Sequence, residues 1–180
     1  VVQKFGMKIF LIILVLLFSS SVLAEDISDY QIEGIAIGDS LLDYMSEEEI
    51  INQINSNLNL YNYLEEPNKF GHVNLYGNFN LYEYLTFLVD YKSTKKYIIL
   101  GIQGVINFDE NLNSCLKKRD EIKQTISKNF KDYKINEHIY NPTIDPSGLS
   151  EVHAIDFEFK FGDSAVIQCV DFEEVLRKKY

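Results

Sequence analysis

The sequence predicts an α+β fold: a mostly antiparallel sheet of about four to five strands, one long helix packed on one face, and short helices near the N-terminus. Leu85, Phe87, Val89 and Tyr91, and then Ile98, Leu100, Ile102, Gly104 and Ile106, alternate on either side of the polar Lys92-Ser93-Thr94-Lys95, which is a hairpin pattern. Leu112, Cys115, Leu116, Arg119, Ile122, Ile126 and Phe130 recur at three- and four-residue steps, the stripe of an amphipathic helix. Ile155, Phe157, Phe159 and Phe161 alternate again, turn at Gly162-Asp163-Ser164, and resume from Ala165 to Phe172. Hairpins on both sides of one helix place that helix over an antiparallel sheet.

The elements follow in chain order. Met7-Lys8, the apolar run Ile9 to Phe18, Ser19 to Ser21 and Val22-Leu23-Ala24 make a charged start, an apolar middle and a small-residue end. That is a secretory signal peptide over residues 1–24 with cleavage after Ala24, and residues 1–6 are an upstream extension. An uncleaved anchor is the competing reading, but the apolar run falls short of a span of about 20 residues, and Glu25-Asp26 follows at once. Residues 25–180 then form a single α+β domain. Residues 31–37 alternate as a short strand, and Gly38-Asp39-Ser40 turns the chain. Ser40 with Asp43, and Ser46 with Glu49, have capping-box spacing, so a short helix over 41–45 precedes a second one beginning at Glu47. As a cap, Asp would serve at position 40 as well as Ser does. Between 52 and 82, nine of 31 residues are Asn, which disfavours helix interior and strand alike; an irregular connection with one strand near Phe70–Leu75 is expected. Residues 131–150 read as a loop carrying Pro142 and Pro146 and ending in a turn at Asp145-Pro146-Ser147-Gly148. Arg177-Lys178-Lys179 is a solvated basic end.

The 180 residues contain 17 Lys plus Arg and 27 Asp plus Glu, a formal net charge of −10. Cleavage after Ala24 removes Lys4 and Lys8 and no acid, so 15 cations face 27 anions. No basic stripe is present, which argues against nucleic acid as a partner, and the acidic balance disfavours anionic lipid surfaces. After signal cleavage no membrane span is expected. Two cysteines, Cys115 and Cys169, lie in the exported part, where an even pair reads as a disulfide; two buried thiols are the alternative. Nothing has zinc-ligand spacing, and no cofactor is implied. Asp43 with Glu47 to Glu49 could meet a cation, yet an acidic first turn is ordinarily a solvated helix start.

Gly38-Asp39-Ser40-Leu41 after a strand resembles the nucleophile block of GDSL-type serine esterases, which would make Ser40 the nucleophile. That family also carries a G-x-N-D block and a late D-x-x-H block on a parallel sheet. Here Ser150, Ile135 and Lys69 stand three positions before His153, His138 and His72, and no G-x-N-D occurs. A turn followed by a helix cap accounts for the same four residues.

Three stretches carry a wider resemblance: IEGIAIGDSLLDYMSEEEI at 32–50, YIILGIQGVINFDENLNSCLKKRDEIKQTI at 97–126 and DPSGLSEVHAIDFEFKFGDSAVIQCVDF at 145–172. Together they are similar to a family of small exported proteins from marine, Pelagibacter-type alphaproteobacteria, a family with no assigned activity. The resemblance implies a Gram-negative envelope, a periplasmic or secreted location and a paired cysteine. It transfers no catalytic residue.

Two functions of different class follow. The first is a non-enzymatic periplasmic module that binds or scaffolds an envelope protein or a small ligand. Its candidate binding loop spans 136–150, with Tyr140 and His153 as the side chains to test. The second is a small esterase using Ser40.

Overall fold

The computed structural model describes residues 30–57, 69–93, 96–109, 111–160 and 162–177. The expected signal peptide, residues 58–68 of the Asn-rich stretch and the basic end beyond 177 lie outside the described residues. Within them the chain is α+β, with eight strands in three antiparallel sheets. This corrects the single sheet of four to five strands, and the reason is connectivity. The long helix follows one three-stranded meander and precedes another, and each meander closes over its own group of buried residues.

The first sheet is a hairpin of β1 (Gln31–Ile32) and β2 (Ile35–Ala36). The expected single strand over 31–37 folds back on itself because Glu33 and Gly34 take φ of 54° and 83°, the left-handed pair that a two-residue hairpin turn requires. Glu33 is fixed there from outside: Asn80 Nδ2 and Leu81 N each donate to its carboxylate at 3.0 Å.

The second sheet orders β3 (Phe70–Tyr76), β4 (Tyr84–Asp90) and β5 (Ile98–Val105) as a meander. Val73, Leu85, Phe87, Val89 and Ile99 share one face and are fully buried. Over them lie Leu41, from a 3₁₀ turn at Leu41–Asp43, and Ile50 and Ile54, from α1 (Glu47–Ser56). Ser46 forms the predicted capping box with Glu49. The Gln53 amide clasps the edge strand twice, donating to the Asn74 carbonyl at 2.9 Å and accepting from Asn74 N at 2.7 Å.

The third sheet orders β6 (Tyr133–Tyr140), β7 (Glu151–Phe159) and β8 (Ser164–Asp171). The long helix α2 (Leu112–Asn129) lies across one face, packing Ile126 and Phe130 on Ile155 and Phe157. A four-residue helix, α3 (Glu174–Arg177), ends the described chain. β6 corrects the loop expected over 131–150. Its side chains are mostly exposed, and its apolar alternation, Tyr133, Ile135 and Ile139, is broken at Glu137, so pairing to β7 completes a strand that hydrophobic periodicity announces only weakly. The true loop is 141–150. It closes on Asp145, whose carboxylate accepts from Ser147 N (2.8 Å), Ser147 Oγ (2.6 Å) and Ser150 N (2.7 Å). Gly148 N donates to the Asp145 carbonyl at 3.3 Å, closing the predicted turn.

Candidate functional site

The segment carrying Ser40 is bound along the beginning of β5. Gly38, at φ 94°, takes a backbone conformation that L side chains rarely adopt, and it redirects the chain out of β2. Gly38 N donates to the Ile99 carbonyl (2.8 Å), Ile99 N to the Asp39 carbonyl (2.9 Å) and Leu41 N to the Tyr97 carbonyl (3.1 Å), and Ser40 bridges Ile98. Ser40 Oγ gives its proton to the Lys96 carbonyl at 2.6 Å and accepts from Leu42 N at 3.3 Å. Asp39 Oδ2 accepts from Ala36 N at 3.0 Å and from Tyr44 Oη at 2.8 Å. The Ala36 amide and then the Tyr44 hydroxyl hold the Asp39 carboxyl below its usual range, while the bond to Asp39 and burial push the Tyr44 phenol up to about 12. Among the described residues, neither a histidine nor a carboxylate takes part in the hydrogen bonds of Ser40. The amides of Leu41 and Leu42, which an oxyanion would need, already have acceptors.

Tyr140 and His153 lie on strands rather than in a loop, which corrects their assignment. Tyr140 is the last residue of β6 and pairs with Val152, whereas His153 pairs with Ile139 and Cys169, so the two side chains leave opposite faces of the sheet. Tyr140 joins a polar row with His138, whose ring stacks on it at 5.5 Å, and its hydroxyl accepts from Gln168 Nε2 at 3.2 Å. His153 is largely buried with Nε2 3.4 Å from a Glu151 carboxylate oxygen, too poorly aligned for a hydrogen bond. The acidic first turn is engaged locally: Glu49 closes the capping box and Glu47 accepts from Tyr97 Oη at 3.0 Å. Among the described residues no group of three or more His, Cys, Asp or Glu could hold a metal ion.

Cys115 and Cys169 form a disulfide that ties α2 to β8, with their Cα atoms 5.9 Å apart. It forms part of the wall of a cleft of about 480 Å³, a volume within the usual range for small-molecule sites, about 300–1,000 Å³. Ile102, Gly104 and Ile106 line it from β5 and the chain just beyond; Arg119, Ile122 and Ile126 from α2; Ala165 and Ile167 from β8. Tyr30 and Ile32 enter from the first hairpin, Tyr30 touching Phe130 ring to ring at 5.8 Å. Tyr82 lies over Gly104, and burial pushes its phenol above the ordinary range. Among the described residues that line the cleft, Lys118 and Arg119 are the charged ones, with no Asp or Glu beside them.

Sequence reasoning placed Arg119 on the sheet-facing stripe of the helix without asking why a guanidinium should stand there. A cation in an otherwise apolar stripe was the available signal. The cleft itself had none, since its walls come from segments far apart in the chain. Among the described residues no helix is long and apolar enough to cross a membrane. In comparisons with known proteins, no family model, curated protein or solved structure matches the chain.

Proposed function

We propose that this chain is a non-enzymatic, exported binding protein of a Gram-negative envelope, and that its guest is a small, mainly apolar molecule seated in the cleft between α2, β5 and β8. The observation that carries the reading is the cleft itself: apolar from three elements, large enough for a guest, and with a wall fixed by a disulfide. The disulfide supports an oxidising compartment, in line with the signal read at 1–24. Titration with the neutral fluorophore N-phenyl-1-naphthylamine tests it. Saturable binding should be abolished by Ala165→Phe, which fills the cleft, with circular dichroism unchanged. Binding that survives in a folded Ala165→Phe protein, or no binding to the wild type, refutes the reading.

Esterase action by Ser40 is the second reading, resting on the Gly38-Asp39-Ser40-Leu41 string. What weighs against it is the proton of Ser40, already given to a carbonyl. Hydrolysis of a chromogenic short-chain ester that disappears in folded Ser40→Ala would favour it over the first.

A further inference from the structure

Resting on the cleft as the binding site, we propose that its guest is a single-chain amphiphile with one anionic head, a fatty carboxylate in chemical class. The charge of the lining points there. Asp and Glu outnumber Lys and Arg 27 to 17 over the chain, yet among the described residues of this wall both charged side chains are cationic. Arg119 is the deeper of the two. Its side chain is 15% exposed, against 54% for Asp120, its partner at the surface.

The bonds to Asp120 leave the guanidinium with capacity. Nε and Nη2 both donate to the one oxygen Oδ1, at 3.1 and 2.9 Å, out of the five N–H donors that Arg carries. Lys118 Nζ reaches Glu121 at 3.4 Å, and that carboxylate is half exposed. Pairs of this exposed kind contribute little to stability and exchange readily with water. A ligand carboxylate arriving from the cleft side would meet the remaining donors of this largely buried Arg119 side chain, and burial strengthens a charge-assisted hydrogen bond.

The rest of the wall suits an alkyl chain. Ile102, Ile106, Ile122, Ile126, Ala165 and Ile167 offer aliphatic surface from three elements, and the apolar part of the lining exceeds the polar part. A carboxylate anchored at Arg119 therefore has its chain laid along β5 and β8. Each added methylene should tighten binding about fourfold until the cleft is full.

The experiment displaces N-phenyl-1-naphthylamine from the purified protein with dodecanoate, dodecanol or dodecylamine, the ionic ligands below their critical micelle concentrations and dodecanol below its solubility limit. Dodecanoate should bind at least tenfold more tightly than dodecanol, and dodecylamine most weakly. Arg119→Gln should weaken dodecanoate about tenfold and leave dodecanol unchanged, as expected for one charge-assisted hydrogen bond. Equal affinity of dodecanoate and dodecanol for the wild type overturns the head-group assignment and leaves the apolar cleft standing. So does preference for dodecylamine, or an Arg119→Gln protein that loses both ligands equally. Failure of all three ligands to displace the bound fluorophore overturns this inference alone, whereas absence of fluorophore binding to the wild type overturns the reading on which it rests.

Discussion

Cys115 on α2 is bonded to Cys169 on β8, and both residues stand in the wall of one cleft. The bond closes a loop with a sequence separation of 54, for which chain entropy gives about 4 kcal/mol. The paired alanine variant Cys115→Ala/Cys169→Ala should therefore melt roughly 8–16 °C lower than the oxidised protein. Because the bond also holds the helix against the strand that lines the site, the same variant should bind apolar ligands more weakly while still folded. A melting temperature unchanged by 1,4-dithiothreitol would count against both effects.

Ser40 acts in two directions, and the second was not legible from the string. Its role as acceptor for Leu42 N is a cap that Asp could also play, but its proton on the Lys96 carbonyl is one that Asp cannot supply. Ser40→Ala should cost about 1–2 kcal/mol in urea unfolding. Ser40→Asp should be at least as destabilising as Ala, since a carboxylate would face the carbonyl oxygen, whereas Ser40→Thr should keep both bonds. A neutral Ser40→Asp would show that the long-range bond is not formed in solution.

What the sequence revealed followed its periodicities. α2 is read from seven stripe residues and found at Leu112–Asn129, and the Ser46 box is read from two letters and found whole. The hairpins read at 84–106 and 155–172 have long apolar alternation and are found as antiparallel pairs, the first with a register shift between Leu88 and Val89. β6 was missed because an edge strand needs only backbone pairing, and its short apolar face of Tyr133, Ile135 and Ile139 is interrupted by Glu137. Division into separate sheets was missed for another reason: alternation reports a strand's buried face but never its neighbour. The cleft lies further out of reach, since Tyr30, Gly104, Arg119 and Ile167 are brought together by packing alone.

Asp145 couples the 141–150 loop to acidity. Bonds from the Ser147 side chain and then Ser150 hold its carboxyl far below the usual carboxylate range. With the folded pKa depressed, its contribution to stability is complete above the unfolded value near 3.9 and fades as pH falls through the lower folded value. The urea midpoint should drop on acidification below about pH 4, and Asp145→Asn should lower it at pH 6 and flatten that acid limb. Ser150 links the loop onward, its Oγ accepting from Glu173 N at 3.0 Å. Amide exchange at Glu173 should therefore quicken in the Asn variant. An acid limb identical in the two proteins would remove the assigned role.

Gly104 and Tyr82 test the cleft from its β5 wall. A Cβ at position 104 would fall 2.3 Å from two atoms of the Tyr82 ring, closer than any real carbon contact, so either the ring leaves or the strand bulges. Overpacking of this kind costs about 1–3 kcal/mol, and Gly104→Ala should show that loss in denaturant. The assignment to the ring is separable from a general intolerance of β5 by a double-mutant cycle. In a Tyr82→Ala background the space is open, and Gly104→Ala should be close to neutral or slightly stabilising, since alanine restricts the unfolded chain. The ring also lines the cleft, so Gly104→Ala should change the affinity for N-phenyl-1-naphthylamine in the wild-type background and not beside Tyr82→Ala. Equal destabilisation by Gly104→Ala in both backgrounds would place the strain in the strand itself and detach Tyr82 from the wall.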